Sequence, residues 1–128
     1  MNNKHMDNIK AVFLDFDWTM FDHKTKSFVK EANDAVNLVN KQGVKTICNS
    51  ARAYFSLQGT NAFKFINFDA YSVCNGLAAF TNDKIIYAHY LKDKHVKKLI
   101  KICEKHKISY LFSTLKETYE NCKKVCVS

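Results

Sequence analysis

Asp15 and Asp17 close the apolar run Ala11-Val12-Phe13-Leu14. Residues i and i+2 of an extended segment project to the same side, so the two carboxylates can meet in one small space. Two acids held together repel unless a cation joins them. Magnesium suits such a position, because it prefers oxygen ligands and is commonly held by one or two carboxylates together with a substrate phosphate. From the spacing alone, a magnesium site and a pair of solvated loop acids account for the two residues equally well. Two further segments have the same character: Asn49-Ser50-Ala51-Arg52 follows the run Val44 to Cys48, and Asn75-Gly76 follows the run Ala70 to Cys74. Arg52 is the only arginine among 20 Lys and Arg residues.

These residues need elements to bring them together. The continuous run Ala11 to Leu14 reads as a strand of a parallel sheet covered on both faces. Ala32, Ala35, Val36 and Val39 recur at helical offsets, which predicts a helix over 31–41 closed by Gly43 as a C-terminal cap. Val44 to Cys48 reads as a second strand. A short helix carrying Tyr54, Phe55 and Leu57 is expected before the turn at Gly59, and Ala70 to Cys74 reads as a third strand. Strand–helix alternation of this kind implies an open α/β layer of parallel strands joined by right-handed crossovers. The carboxyl ends of such strands share one edge, where ligands bind, so Asp15, Asp17, Asn49, Ser50, Asn75 and Gly76 should converge.

Beyond Gly76 the layer is expected to be interrupted. Leu77 to Phe80 and Lys84 to Tyr87, around Asn82-Asp83, read as a hairpin. Asp93 reads as the N-cap of a helix with Val96, Leu99, Ile100 and Cys103 on one face and a solvated face of lysines. Ile108 to Phe112 reads as a strand, and Glu117 to Ser128 is ambiguous.

A chain of 128 residues has room for one domain. Its 47% hydrophobic and 25% charged content is that of a globular protein rather than a disordered one. No apolar run approaches the length of a membrane-spanning helix, and Met1 to Lys10 is polar rather than a signal sequence, so a cytoplasmic location and no membrane partner are expected. Five cysteines, an odd number, show no paired zinc spacing and fit reduced thiols; Cys122 and Cys126 are the only close pair. The net charge of +8 would attract polyanions, but it is carried by dispersed lysines and one arginine, which argues against nucleic acid as a partner.

Asp15-Phe16-Asp17-Trp18-Thr19, after an apolar strand, resembles the first motif of the haloacid dehalogenase-like (HAD) phosphohydrolase superfamily. Ile47-Cys48-Asn49-Ser50-Ala51-Arg52 is similar to its second motif, in the Thr/Ser-Gly-Arg form of the sugar-phosphate phosphatase branch with a large C2 cap. Asn75-Gly76 followed by a hairpin is similar to the Asn-Gly turn of that branch. The resemblance spans residues 9 to 115. It implies a Rossmann-like three-layer α/β/α fold with a parallel sheet, residues 1–86 forming the N-terminal part of the core and 87–128 the start of an inserted α+β cap, truncated.

The function the resemblance implies is a magnesium-dependent phosphatase of small phosphorylated metabolites, working through an aspartyl phosphate. Asp15 would attack phosphorus, and Asp17 would protonate the leaving alcohol and then activate water. Magnesium would be held by the Asp15 carboxylate, the Asp17 main-chain carbonyl and the phosphate. Ser50 would donate a hydrogen bond to phosphate, and Thr19 would orient Asp17 or its loop. Arg52 fits a substrate contact or a structural ion pair, and Asn75 a ligand contact or a turn. The chain departs from the pattern in two ways. Trp18 stands where the family has glycine, unfavourable if the turn needs positive φ. No lysine and acidic pair follow the cap segment, so an incomplete chain of low activity is expected; the alternative is an inactive remnant that binds phosphate or a partner.

Overall fold

The computed structural model describes residues 9–60 and 66–121. The N-terminal segment Met1 to Asn8 and the pair Cys122 and Cys126 lie outside the described residues. In chain order the elements begin with β1 (Ala11–Asp15), a small antiparallel hairpin of β2 (Phe21–Asp22) and β3 (Ser27–Phe28), and α1 (Lys30–Lys41). β4 (Lys45–Asn49), α2 (Tyr54–Gln58), β5 (Ala70–Val73), β6 (Ala78–Thr81) and β7 (Ile85–Ala88) follow. α3 (Asp93–Lys105), β8 (Leu111–Ser113) and β9 (Thr118–Glu120) complete the series.

The sheet order is β1-β4-β5-β6-β7. β1, β4 and β5 run parallel, with Phe13 opposite Ile47 and Ile47 opposite Ala70. This is the open α/β layer expected from the apolar runs and the Rossmann-like arrangement that the resemblance implied. Two crossovers of the same hand, stepping in the same direction, bring their helices to the same face. Accordingly Val36 of α1 and Leu57 of α2 enter one buried cluster with Cys48, Tyr71, Val73 and Phe80. On the other face Phe13 is 67% exposed. Across that core Tyr71 and Phe80 of neighbouring strands stack at 5.2 Å, and Tyr54 of α2 meets both rings edge-on.

Three expectations need correction. The hairpin does not interrupt the layer: β6 turns back beside β5 and extends the sheet antiparallel, and β7 adds a fifth strand. A tight turn at residues 74–77 allows this, since Gly76 takes φ +82° and the Gly76 N–H closes onto the Val73 carbonyl at 3.1 Å. Asp93 is not the cap of α3 either. Lys92 occupies that position without a side-chain cap bond, and Asp93 lies in the first turn, where its charge complements the helix dipole. The strand expected at 108–112 forms only as β8, which pairs with β9. No helix among the described residues is long and apolar enough to cross a membrane, and the described cysteines Cys48, Cys74 and Cys103 are free thiols.

At the amino ends of the strands, Asp69 fastens β4 to the start of β5. Its carboxylate accepts the Thr46 N–H at 3.0 Å and the Lys45 ammonium at 2.6 Å. The fully buried Thr46 hydroxyl donates to Asn40 of α1 at 2.8 Å, so helix and strands are laced together there. The Lys45 ammonium, first, and the Thr46 N–H hold the Asp69 carboxyl below its usual range. A lowered folded-state value contributes stability above the unfolded value of about 3.9, and that stability is lost as pH falls through the folded value. Asp69→Ala is expected to cost about 1–2 kcal/mol at pH 7, since a buried N–H loses its acceptor. Urea unfolding should show the gap between parent and variant closing below pH 4; a gap independent of pH would rule out the ionised carboxylate as its source.

Candidate active site

Asp15 ends β1 directly opposite Asn49, the last residue of β4. The chain then leaves both strands at the carboxyl edge of the sheet. Ser50 is buried, and its N–H donates to the Ser72 carbonyl of β5 at 2.9 Å. The Ser50 oxygen accepts the Arg52 N–H at 3.1 Å, which folds the loop back and leaves the hydroxyl proton to be donated elsewhere. The Asn75 N–H reaches the Ser50 carbonyl at 3.3 Å and the Cys74 N–H the Arg52 carbonyl at 2.9 Å, so the loops after β4 and β5 are tied to each other. The result is a cleft of about 360 Å³ lined by Asp15, Asn49, Ser50, Ala51, Asn75 and Gly76. Asp15, Ser50 and Asn75, separated by up to 60 positions in sequence, therefore meet. No hydrogen bond or ion pair among the described residues engages the Asp15 carboxylate.

Asp17 and Arg52 meet each other beside this cleft. The Arg52 guanidinium grips the Asp17 carboxylate with two bonds, Nε to Oδ2 at 3.0 Å and Nη2 to Oδ1 at 2.7 Å. Both side chains are about three-quarters buried, at 25% and 27% exposure. The His23 Nε2 lies 2.6 Å from the same Oδ1. Arg52 is further seated over the rings of Phe16 and Phe21, at 5.5 and 5.9 Å from their centroids. The only arginine is thus built into a fixed fork around Asp17. Thr19 sits exposed in the turn after β1.

His23 is the member of this group that sequence reasoning did not single out. It lies in a polar stretch with no periodicity, and only the β2–β3 hairpin carries it back to Asp17. Its ring also lies tilted against Trp18, with centroids 4.8 Å apart, and edge-on against Phe21.

The main chain at Asp17 bears on a metal. Phe21 bridges the loop by accepting from the Trp18 N–H and donating to the Phe16 carbonyl, both at 2.9 Å. In a bridge of this kind the N–H and C=O of the intervening residue, Asp17, point away from it. Among the described residues no group of three or more His, Cys, Asp or Glu side chains could hold a metal by itself. One unengaged carboxylate, Asp15, with one unbridged carbonyl, Asp17, is nonetheless a donor set that magnesium accepts when a phosphate completes its shell. Cys48 lies beneath the two acids, and burial first, then Asp15 and Asp17, pushes its thiol up to about 12. It remains a protonated thiol and no nucleophile at neutral pH.

The turn does require positive φ at Trp18, which takes +64°. Left-handed backbone costs a bulky L-residue about 1–2 kcal/mol, and the 67% exposed ring recovers part of this by its tilted contact with His23. Trp18→Gly is expected to gain about 0.5–1 kcal/mol net of the entropy glycine adds to the unfolded chain. Chemical denaturation checks this, and a variant less stable than the parent would mean that the Trp18–His23 ring contact outweighs the strain.

A family model described as haloacid dehalogenase-like hydrolase matches residues 12–125. Among curated proteins none matches the chain. Solved structures with the same fold include a hypothetical protein from Geobacillus kaustophilus, with a TM-score of 0.79 at 21% identity over 91% of this chain and 44% of that one. A HAD-superfamily phosphatase from Bacteroides thetaiotaomicron gives 0.71 at 19% identity, over 91% of this chain and 43% of that one. A sugar phosphatase of HAD subclass IIB gives 0.64 at 23% identity, over 85% and 42% respectively. The chain spans less than half the length of each. With the matched region taking in β1, the cleft and the segment beyond it, the chain belongs to the haloacid dehalogenase-like hydrolase family.

Proposed function

We propose that this chain carries the nucleophile-bearing half of a magnesium-dependent phosphatase that releases phosphate from small phosphorylated metabolites in the cytoplasm, with residues 1–86 as the N-terminal part of the core and 87–128 as the start of a cap. The observation that carries the proposal is the Asp15 carboxylate, unengaged among the described residues, sharing one cleft with Ser50. Asp15 attacks phosphorus to form an aspartyl phosphate, and water then cleaves it, which splits one hard displacement into two easier ones. Ser50 donates to a phosphate oxygen, and Asn75 and the backbone of the 74–76 turn border the same oxygens. Asp17 gives a proton to the leaving oxygen and later takes one from water. Arg52 and His23 set where that carboxylate sits, and Thr19 lies in the turn that carries it. The Asp15 carboxylate and Asp17 carbonyl would hold magnesium, which supplies charge neutralisation between nucleophile and phosphate.

A second reading is favoured by one observation. Asp17 already accepts two bonds from Arg52 and lies within bonding reach of His23, and it must give one up before it can hand over a proton. If the fork does not open, the chain binds phosphate without turning it over. The two readings separate in one assay. Phosphate release from p-nitrophenyl phosphate is expected to be slow from the 128-residue chain, to require magnesium, to fall to background on chelation and to return when magnesium is restored. Hydrolysis that survives chelation would overturn the metal-assisted scheme, and phosphate binding with no hydrolysis at any magnesium concentration would establish the second reading.

A further inference from the structure

A second cavity, of about 530 Å³, adjoins the Asp15 cleft. The wall between them is the 74–77 turn, in which Cys74, Asn75 and Gly76 take φ of +53°, +55° and +82° in succession. This run of left-handed residues shares out its members: Asn75 and Gly76 line the cleft, whereas Cys74 and Leu77 line the larger cavity. Ala51 lines both. The two spaces are therefore neighbours across one small side chain.

The lining of the larger cavity is mostly apolar, with Leu77, Leu91, Val96, Leu111, Phe112 and Leu115 prominent, and it includes no charged side chain. Its polar side chains are few and partly committed. The Thr114 hydroxyl already donates to the Glu117 carbonyl and accepts the N–H groups of Lys116 and Glu117. Ser113 faces the Thr118 hydroxyl at 3.4 Å. His89 and Tyr90 remain, with no side-chain hydrogen bond among the described residues. A polyhydroxylated sugar placed here would bury several hydroxyls against carbon, each without a partner. A flat ring with one or two heteroatoms matches both the apolar walls and the two available polar groups.

We infer that the cavity behind Ala51 receives the leaving group of the substrate, and that this leaving group is an aromatic or heteroaromatic ring rather than a sugar. The inference rests on the phosphatase reading of the Asp15 cleft and narrows its substrate class. Size agrees, since cavities of about 300–1,000 Å³ are usual for small-molecule sites. So does position, because Ala51, the residue after Ser50 along the loop, lines both spaces.

The test is calorimetric titration of the 128-residue chain, with magnesium present, using three probes that cannot be turned over or are themselves product: inorganic phosphate, benzylphosphonate and the phosphonate analogue of glucose 6-phosphate. Benzylphosphonate is expected to bind about tenfold or more tightly than the other two, from the apolar area its ring buries. Leu77 and Leu91 are half-exposed, at 51% and 56%, so replacing them does not open the core. In the double variant Leu77→Asn, Leu91→Asn the advantage of benzylphosphonate should fall to about threefold or less while inorganic phosphate binds as before. Inorganic phosphate binding with no preference for benzylphosphonate, or a preference untouched by the double variant, overturns the assignment of the cavity alone. Failure of all three probes to bind overturns the phosphate site itself, and the inference with it. A preference for the sugar analogue would assign the cavity to the opposite substrate class.

Discussion

Asp15→Asn is expected to lower phosphate-ester turnover by at least about 10³-fold, the scale on which loss of a covalent nucleophile acts. Asparagine has nearly the shape of aspartate, and Asp15 makes no side-chain hydrogen bond or ion pair among the described residues, so no structural contact is removed. Its backbone pairing with β4 in the Asp15–Asn49 register does not depend on the side chain. What disappears is an anionic oxygen able to bond to phosphorus and one ligand for magnesium. Affinity for inorganic phosphate in the absence of metal should hold or rise, because a negative charge facing the anion is gone. The check is therefore a pair of measurements, kcat with magnesium and phosphate binding without it. A variant within tenfold of the parent in kcat would move the nucleophile elsewhere. A variant that loses phosphate binding together with turnover would make Asp15 a structural residue of the cleft.

The parts of the molecule that were legible in the sequence are those fixed by local pattern. β1, β4 and β5 announce themselves as apolar runs, and α1 as an apolar stripe at helical spacing with Gly43, at φ +79°, just past its end. Because parallel strands end on one edge, the polar residues after each run had to come together, and Asp15, Ser50 and Asn75 do so in one cleft. Pairings set by tertiary placement were not legible. Arg52 stood out by composition, yet nothing local joins it to a carboxylate 35 positions away. His23 reaches Asp17 through a hairpin of two-residue strands too short to leave a pattern. The continuation of the sheet through β6 was missed for a related reason: a turn signal shows that the chain reverses, while the strand it reverses onto is chosen by packing, here Tyr71 on Phe80. The start of α3 was misplaced by one residue because Asp suits both a cap and a first turn.

Phe16→Ala is expected to destabilise the protein by about 3–5 kcal/mol, a large share of the roughly 5–15 kcal/mol typical of a domain. Phe16 separates the two acids in sequence and is fully buried beneath them. Its ring stacks on Phe21 at 5.6 Å and meets Phe28 edge-on at 5.8 Å, which holds the β2–β3 hairpin against the end of β1. The same ring carries the Arg52 guanidinium on its face. One side chain thus joins packing to chemistry: alternation along the extended chain sends Phe16 inward while Asp15 and Asp17 remain at the rim. Removing the ring leaves a cavity and takes away the floor under Arg52, so the fork around Asp17 should loosen along with the fold. Phe16→Leu keeps most of the volume and should cost about 1–1.5 kcal/mol while still denying Arg52 an aromatic face. Comparing the two variants by urea unfolding separates the cavity from the cation–ring contact. A loss below about 1 kcal/mol for Phe16→Ala is incompatible with full burial of the ring. Equal losses for the two variants would mean that the aromatic face, rather than the filled volume, holds this end of the sheet together.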